Sequence, residues 1–261
     1  MTFVVEGRSR LPVVFIGHGS PMNTLEHNRF TVAWHEFARS IPTPRAILAI
    51  SAHWYTRGTA VTAMETPRTI HDFTGFPDEL FAFEYPASGS PTIARRVAEL
   101  LAPHEVGFDT SWGLDHGTWS VLAHMYPRAD VPVVQLSIDA GLGTSEHLEL
   151  AARLDPLRDE GVLIVASGNV VHNLSMIDWS SPDEAFGWAE DFDRRTREVM
   201  LERPCELASL GSHPSYRAAV PTAEHWLPLA YVAGLAAGGD VEVLVGGGVY
   251  GSLTMTSFVV R

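Results

Sequence analysis

Residues 46–55 read AILAISAHWY, an unbroken apolar run, Ala46–Ser51, that ends on a histidine between small and aromatic residues. A run of this length without polar alternation suits a strand covered on both faces, as in a parallel sheet packed between helices. Outward from it, runs of the same kind recur at Pro12–Ile16, Thr59–Ala63, Val131–Ile138, Val162–Ala166, Val241–Val245 and Ser252–Val260. Helices are predicted between them at Asn28–Arg39, Thr92–Leu101, Ser120–Met125, Ser145–Leu154, Asp183–Leu201 and Thr222–Leu235. In the first of these, Phe30, Ala33, Trp34 and Phe37 fall on one side. Strands alternating with helices predict an α/β fold: a single domain over residues 1–261, a three-layer sandwich with a central, largely parallel sheet flanked by helices. A chain of 261 residues is long enough to bury a substantial core in one such domain.

One segment breaks the rhythm. Residues 66–90, TPRTIHDFTGFPDELFAFEYPASGS, cluster aromatics and prolines with little periodicity. A long irregular stretch inside a compact domain is usually a functional loop, and its aromatics could wall a site. The competing reading is a surface loop anchored by its own phenylalanines.

Composition removes several classes of function. Net charge is −13 and the basic residues are dispersed, so phosphate backbones and anionic membranes are poor partners. All 18 basic residues are arginine; without lysine there can be no Schiff base, pyridoxal-phosphate linkage or Walker-type phosphate loop. Cys205 is the only cysteine, which rules out an internal disulfide and a thiolate zinc cluster. No apolar run approaches 18 residues, and the one at 11–16 is too short for a signal core, so a cytoplasmic protein is expected. Gly246–Gly248 follows a strand, but no helix pattern opens after it, and a bulge or tight turn is the better reading than a phosphate loop.

Five histidines sit where apolar runs give way to turns or helices: His18 in GHGSP, His53 in SAHWY, His116 in LDHGTW, His172 in SGNVVHN and His225 in AEHWLP. Side chains just beyond the strand ends of an open α/β sheet point into the crevice where ligands bind. Neutral imidazole is a common metal ligand and the side chain best suited to proton transfer near neutral pH. Three histidines would suit zinc or iron, and two with a carboxylate would make the facial triad of non-haem iron enzymes. Spacing alone does not choose, and Glu224 competes with its neighbour His225 for the third position. His116 and His172 are each open to the role of base, donor or further ligand. Asp115 and Asn169 are candidates to bond ligand imidazoles and fix their tautomers. The other histidines, at 27, 35, 104, 124, 147 and 213, are expected to be solvated, with His71 set apart because it lies in the aromatic loop.

These segments resemble the class III (LigB-like) extradiol ring-cleavage dioxygenases. The resemblance is carried by GHGSPMN at 17–23, SAHWYTRGT at 51–59, METPRTIHDFTGFP at 64–77, YPASGSP at 85–91 and DHGTWSVL at 115–122. It continues through VPVVQLSID at 131–139, VASGNVVHNL at 165–174, PTAEHWLPLAYVAG at 221–234 and GSLTM at 251–255. It implies a mixed sheet flanked by helices, with His18, His53 and His225 as metal ligands and His172 as active-site base or further ligand. His116 would be a substrate-side donor. Fe(II) is the implied active metal, with Zn(II) the alternative. The implied reaction inserts O₂ into a catechol such as L-DOPA, giving a muconic-semialdehyde-type product. The implied partners are thus a small catechol and O₂, on a monomer or small homo-oligomer. Trp54, Tyr55, Phe73 and Phe76 could stack on the ring, with core packing as the competing explanation, and Asn169 joins them as a substrate-side candidate. A zinc-dependent hydrolase and a non-catalytic metal-binding protein are the alternatives on the same scaffold.

Overall fold

Val13–Gly17 (β1), Ala46–Thr56 (β2), Val133–Asp139 (β5) and Val162–Gly168 (β6) lie side by side in the order β5-β2-β6-β1, all parallel. Every residue of β1, β5 and β6 is buried, as unalternating apolar runs require. The computed structural model describes residues 10–261. Thr59–Thr62 (β3), Val106–Asp109 (β4), Val241–Val245 (β7) and Ser257–Val260 (β10) extend the sheet to eight strands, β4-β3-β5-β2-β6-β1-β10-β7. β3 runs antiparallel to β5, β10 to β1, and β7 to β10, so the sheet is mixed around a parallel centre. Gly248–Val249 (β8) and Leu253–Thr254 (β9) pair separately.

Among the described residues, nine α-helices accompany these strands: Arg29–Ser40 (α1), Asp78–Phe81 (α2), Pro91–Leu101 (α3), His116–Met125 (α4), Thr144–Ala152 (α5), Pro156–Asp159 (α6), Gly187–Glu202 (α7), Tyr216–Ala219 (α8) and Leu227–Gly234 (α9). The side-chain alternation of β1 divides the interior into two cores. Val13 and Phe15 pack with residues of α3, α5, α7 and α9, among them Ile93, Leu150, Phe192 and Leu229. Val14 and Ile16 pack on the other face with Phe30, Trp34 and Phe37 of α1 and with Trp119 and Leu122 of α4. Each such side chain contributes roughly 1.5–3 kcal/mol when fully buried. The three layers expected from the sequence are therefore present.

Arg158 closes one end of the sheet. It is buried, and its Nε donates to the Leu11 carbonyl at 2.8 Å. Its two terminal nitrogens donate to the carbonyls of Leu235 and Val260 at 3.3 and 3.4 Å. One guanidinium thus ties the entry to β1, the end of α9 and the end of β10.

Several boundaries differ from expectation, each for a local reason. β2 does not stop at Ser51 but continues to Thr56, with a register shift against β5 between Ile50 and Tyr55. A bulge of this kind re-aims side chains, and His53 lies inside it. The helix expected from Ser120 begins at His116, because Asp115 caps it by accepting from the Thr118 N–H. The helix expected from Thr222 begins at Leu227, with Glu224 and His225 in the preceding turn. That expected from Asp183 begins at Gly187. The run Ser252–Val260 is divided between β9 and β10, and β4, a half-exposed edge strand, carries too little apolar pattern to be legible. Gly246 and Gly247 carry the chain without regular structure from β7 to β8, with Gly247 at φ +138° and Gly248 already in the strand.

Candidate active site

Three adjacent parallel strands deliver their C-terminal ends to one edge of the sheet. β1 ends at Gly17 and presents His18; β2 carries His53 near its end; β6 ends at Gly168 and leads through Asn169 to His172. His225 comes from the turn before α9. It is held there by the Asn169 N–H, which donates to the His225 carbonyl at 2.9 Å. That approach requires glycine at 168, since a Cβ there would stand 2.2 Å from the His225 carbonyl oxygen. His116, the first residue of α4, completes the group.

All five histidines of the sequence reading meet here. The rings of His18, His53 and His225 form a near-equilateral triangle, with centroids 5.2, 5.4 and 5.1 Å apart. One ring nitrogen from each lies within 4.8 Å of the others. His172 stacks on His225 at 3.5 Å and an interplanar angle of 6°, and His116 lies 3.8 Å from His53. Glu224 stands behind His225, its Oε1 3.3 Å from Nδ1, so the imidazole and not the carboxylate enters the triangle.

Hydrogen bonds on the outer nitrogens decide what the triangle can hold. Ser167 Oγ donates to the Gly117 carbonyl at 2.5 Å, so toward His18 Nδ1, at 2.9 Å, it can only accept. His53 Nδ1 lies 3.0 Å from Asp72 Oδ2, again an acceptor. Both rings therefore carry their proton on Nδ1 and their lone pair on Nε2. Those two Nε2 atoms face one another at 3.3 Å. Two lone pairs at that separation repel unless a cation lies against both. Nitrogen donors at this spacing suit a first-row metal with bonds of about 2.0–2.2 Å.

Burial and mutual repulsion favour the neutral form in four of the five imidazoles. Burial first, then the neighbouring imidazoles, hold His18 and His225 well below the ordinary histidine value. Burial, then His53, lowers His172 to about 4, and burial also lowers His116 despite Asp72. His53 is the exception. Burial opposes its protonation, but the Asp72 hydrogen bond and the charges of Asp115, Asp72 and Glu224 outweigh it and raise its pKa.

Other expected roles need correction. Asp115 does not fix a histidine tautomer; as helix cap it bonds the Thr118 N–H and Gln135 Nε2. Asn169 Nδ2 donates to the Thr254 carbonyl at 2.9 Å, leaving its buried Oδ1 without a partner. Trp54 is buried and stacked on Trp112 at 5.6 Å, so its ring is taken up by packing rather than left for a ligand. Tyr55 is 40% exposed, and Phe73 stands edge-on to His116 at 5.5 Å. Phe76 packs on Phe73 at 5.3 Å. His71 packs against Trp119 and bonds the Phe83 carbonyl. Among the histidines expected to be solvated, His147 is fully buried, and His35 and His124 are half-buried on backbone carbonyls.

Asp72 escaped the sequence reading altogether. The signal was its place beside His71 in the irregular loop, where the histidine drew attention instead. The backbone pairing of Thr69 with Leu114 brings this loop alongside Asp115 and His116. The spacing of Asp72, His53 and His116 is that of hydrogen bonds, not of a second metal site. Elsewhere, a cavity of about 630 Å³ beside Gly246–Gly248 contains Arg194 and Arg197, but these pair with Asp191, Glu198 and Asp193 and leave no free cationic lining.

Comparison with known proteins gives a consistent picture. The family described as the catalytic LigB subunit of aromatic ring-opening dioxygenase matches residues 12–260. The chain is 47% identical to the 4,5-DOPA dioxygenase extradiol of Escherichia coli K12, covering 97% of this chain and 96% of that protein. It is 38% identical to the 4,5-DOPA dioxygenase extradiol of Beta vulgaris, covering 93% and 96%. It also superposes on the crystal structure of an uncharacterized Escherichia coli K12 protein with a TM-score of 0.85 and 43% identity, covering 97% and 100% of the two chains.

Proposed function

The chain belongs to the LigB family of aromatic ring-opening dioxygenases, and from that premise we propose that it opens a catechol ring beside its diol, with L-DOPA the leading substrate. The observation that carries this reading is the pair of Nε2 atoms of His18 and His53 facing each other at 3.3 Å, each ring held by an acceptor at Nδ1, with His225 closing the triangle. An Fe(II) held by these three residues, with Zn(II) the alternative, would supply Lewis acidity and open coordination positions.

The remaining residues act on the substrate. His172, held parallel to His225, is unprotonated at neutral pH and so ready to accept a catechol proton. Because the imidazolium it forms is a comparatively strong acid, the proton is readily returned later in the reaction. Phe73 offers an aromatic edge beside His116, and Tyr55 a partly exposed hydroxyl-bearing ring. Among the described residues no helix is long and apolar enough to cross a membrane.

Oxygen uptake tests the reading. Protein stripped of metal, reloaded anaerobically with Fe(II) and given L-DOPA in air is expected to consume one O₂ per catechol and form a yellow product. His172→Ala is expected to lower kcat by about 10²–10⁴-fold, the usual contribution of a general acid–base group. No oxygen uptake with Fe(II) or Zn(II) across a catechol panel would sink the reading and favour a zinc hydrolase.

The same ligand set predicts a pH dependence. Protons compete with metal for neutral imidazole. His18 and His225 stay neutral well into mild acid, whereas His53, with its raised pKa, protonates first as pH falls. Metal affinity is therefore expected to be flat above the His53 pKa, which lies above the ordinary histidine value, and to fall about tenfold per pH unit below it. Chelator competition between about pH 8 and 5 measures this. A flat profile would remove His53 from the ligand set.

A further inference from the structure

Asp72 binds two histidines of the site with one carboxylate. Its Oδ1 accepts from the His116 backbone N–H at 3.0 Å and from His116 Nδ1 at 2.9 Å, and its Oδ2 lies 3.0 Å from His53 Nδ1. We propose that Asp72 is a positioning residue that sets the tautomer and ring orientation of both, aligning a metal-side and a substrate-side histidine together. The assignment of these two sides rests on the ring-opening function proposed above.

An ionised carboxylate can only accept, so each imidazole that it touches must present Nδ1–H to it. A neutral ring then has its single lone pair at Nε2. For His53 that is the atom facing His18 Nε2. For His116 the consequence reverses the role expected from the sequence: the neutral ring is an acceptor toward substrate, receiving a hydrogen bond from a catechol hydroxyl rather than donating to oxygen. Without Asp72, the tautomer that free imidazole prefers would place a proton at Nε2 and aim it at the metal position.

Backbone structure holds the carboxylate in place. Two residues before it, the Ile70 N–H donates to the Leu114 carbonyl at 2.7 Å, and Trp119 Nε1 donates to the Ile70 carbonyl at 2.9 Å. The next residue, Phe73, puts its ring beside His116. A single loop therefore supplies both the aromatic wall and the group that keeps the facing imidazole edges proton-free.

Histidine-selective ¹⁵N NMR of the metal-free protein, with His116 assigned through His116→Asn, reports which ring nitrogens bear protons. Both His53 and His116 are expected as Nδ1–H tautomers. In Asp72→Asn, whose amide offers one acceptor and one donor, at least one of them is expected to switch to Nε2–H. Zinc affinity, read by chelator competition, is expected to fall about 10–100-fold in that variant. An Nε2–H tautomer of either ring in the unmodified protein overturns the proposal, even if the variant fails to fold. So do unchanged tautomers, or unchanged zinc affinity, in a folded Asp72→Asn protein. None of these readouts needs turnover, so failure to open any catechol would count against the proposed reaction and not against Asp72.

Discussion

His18→Ala is expected to weaken Zn(II) or Fe(II) binding by about 10³-fold and to abolish oxygen uptake at substoichiometric metal. Three-ligand sites divide their binding energy among few bonds; a third of the roughly 10–16 kcal/mol typical of tight zinc sites is about 4 kcal/mol, or about three orders of magnitude. Metal-free stability should change much less. The imidazole is buried, but its Nε2 lone pair faces another lone pair in the metal-free protein, so its removal relieves repulsion while leaving a small void. Ser167 keeps its bond to the Gly117 carbonyl. Isothermal titration against a competing chelator, beside a thermal melt of the metal-free variant, separates the two effects. Affinity within threefold of the unmodified protein would take His18 out of the ligand set.

Arg158→Ala is expected to be the most damaging change outside the site. Its guanidinium is buried and satisfies carbonyls of Leu11, Leu235 and Val260, which belong to three different segments. Removing it deprives those oxygens of this donor and opens a void, and breaking a buried charged network in this way typically costs about 3–5 kcal/mol. At about 2–4 °C per kcal/mol for a domain of this size, Tm should fall by roughly 6–20 °C. Arg10→Ala is the control: Arg10 is an exposed partner of Asp155 and Asp159, and such pairs are worth about 0–1 kcal/mol. Equal melts for the two variants would show that Arg158 does not tie the segments together.

Local sequence pattern marks some residues of the site and not others. His18, His53, His116, His172 and His225 were legible because each follows or ends a local pattern: an apolar run, a glycine turn or a helix start. Trp54 and Asp115 neighbour histidines of the site but point elsewhere, because adjacency in sequence says nothing about direction. In β2 successive side chains alternate, and Trp54 turns to Trp112; at the start of α4, Asp115 turns back to cap its own helix. Asp72 lay in a segment without periodicity, where local pattern carries little information. The extension of β2 through His53 was missed because strand continuation past Ser51 depends on the neighbour β5, not on the run itself.

From the sequence alone came the layered α/β architecture, the parallel centre and the concentration of histidines at strand ends, because burial periodicity and turn chemistry are local and act within a few residues. Tertiary structure decided which ring nitrogen of His18, His53 and His116 is free. His18 takes its partner from Ser167, and His116 from Asp72, across 149 and 44 residues of chain. Such bonds are set by strand order and loop placement, which exist only once the sheet has formed.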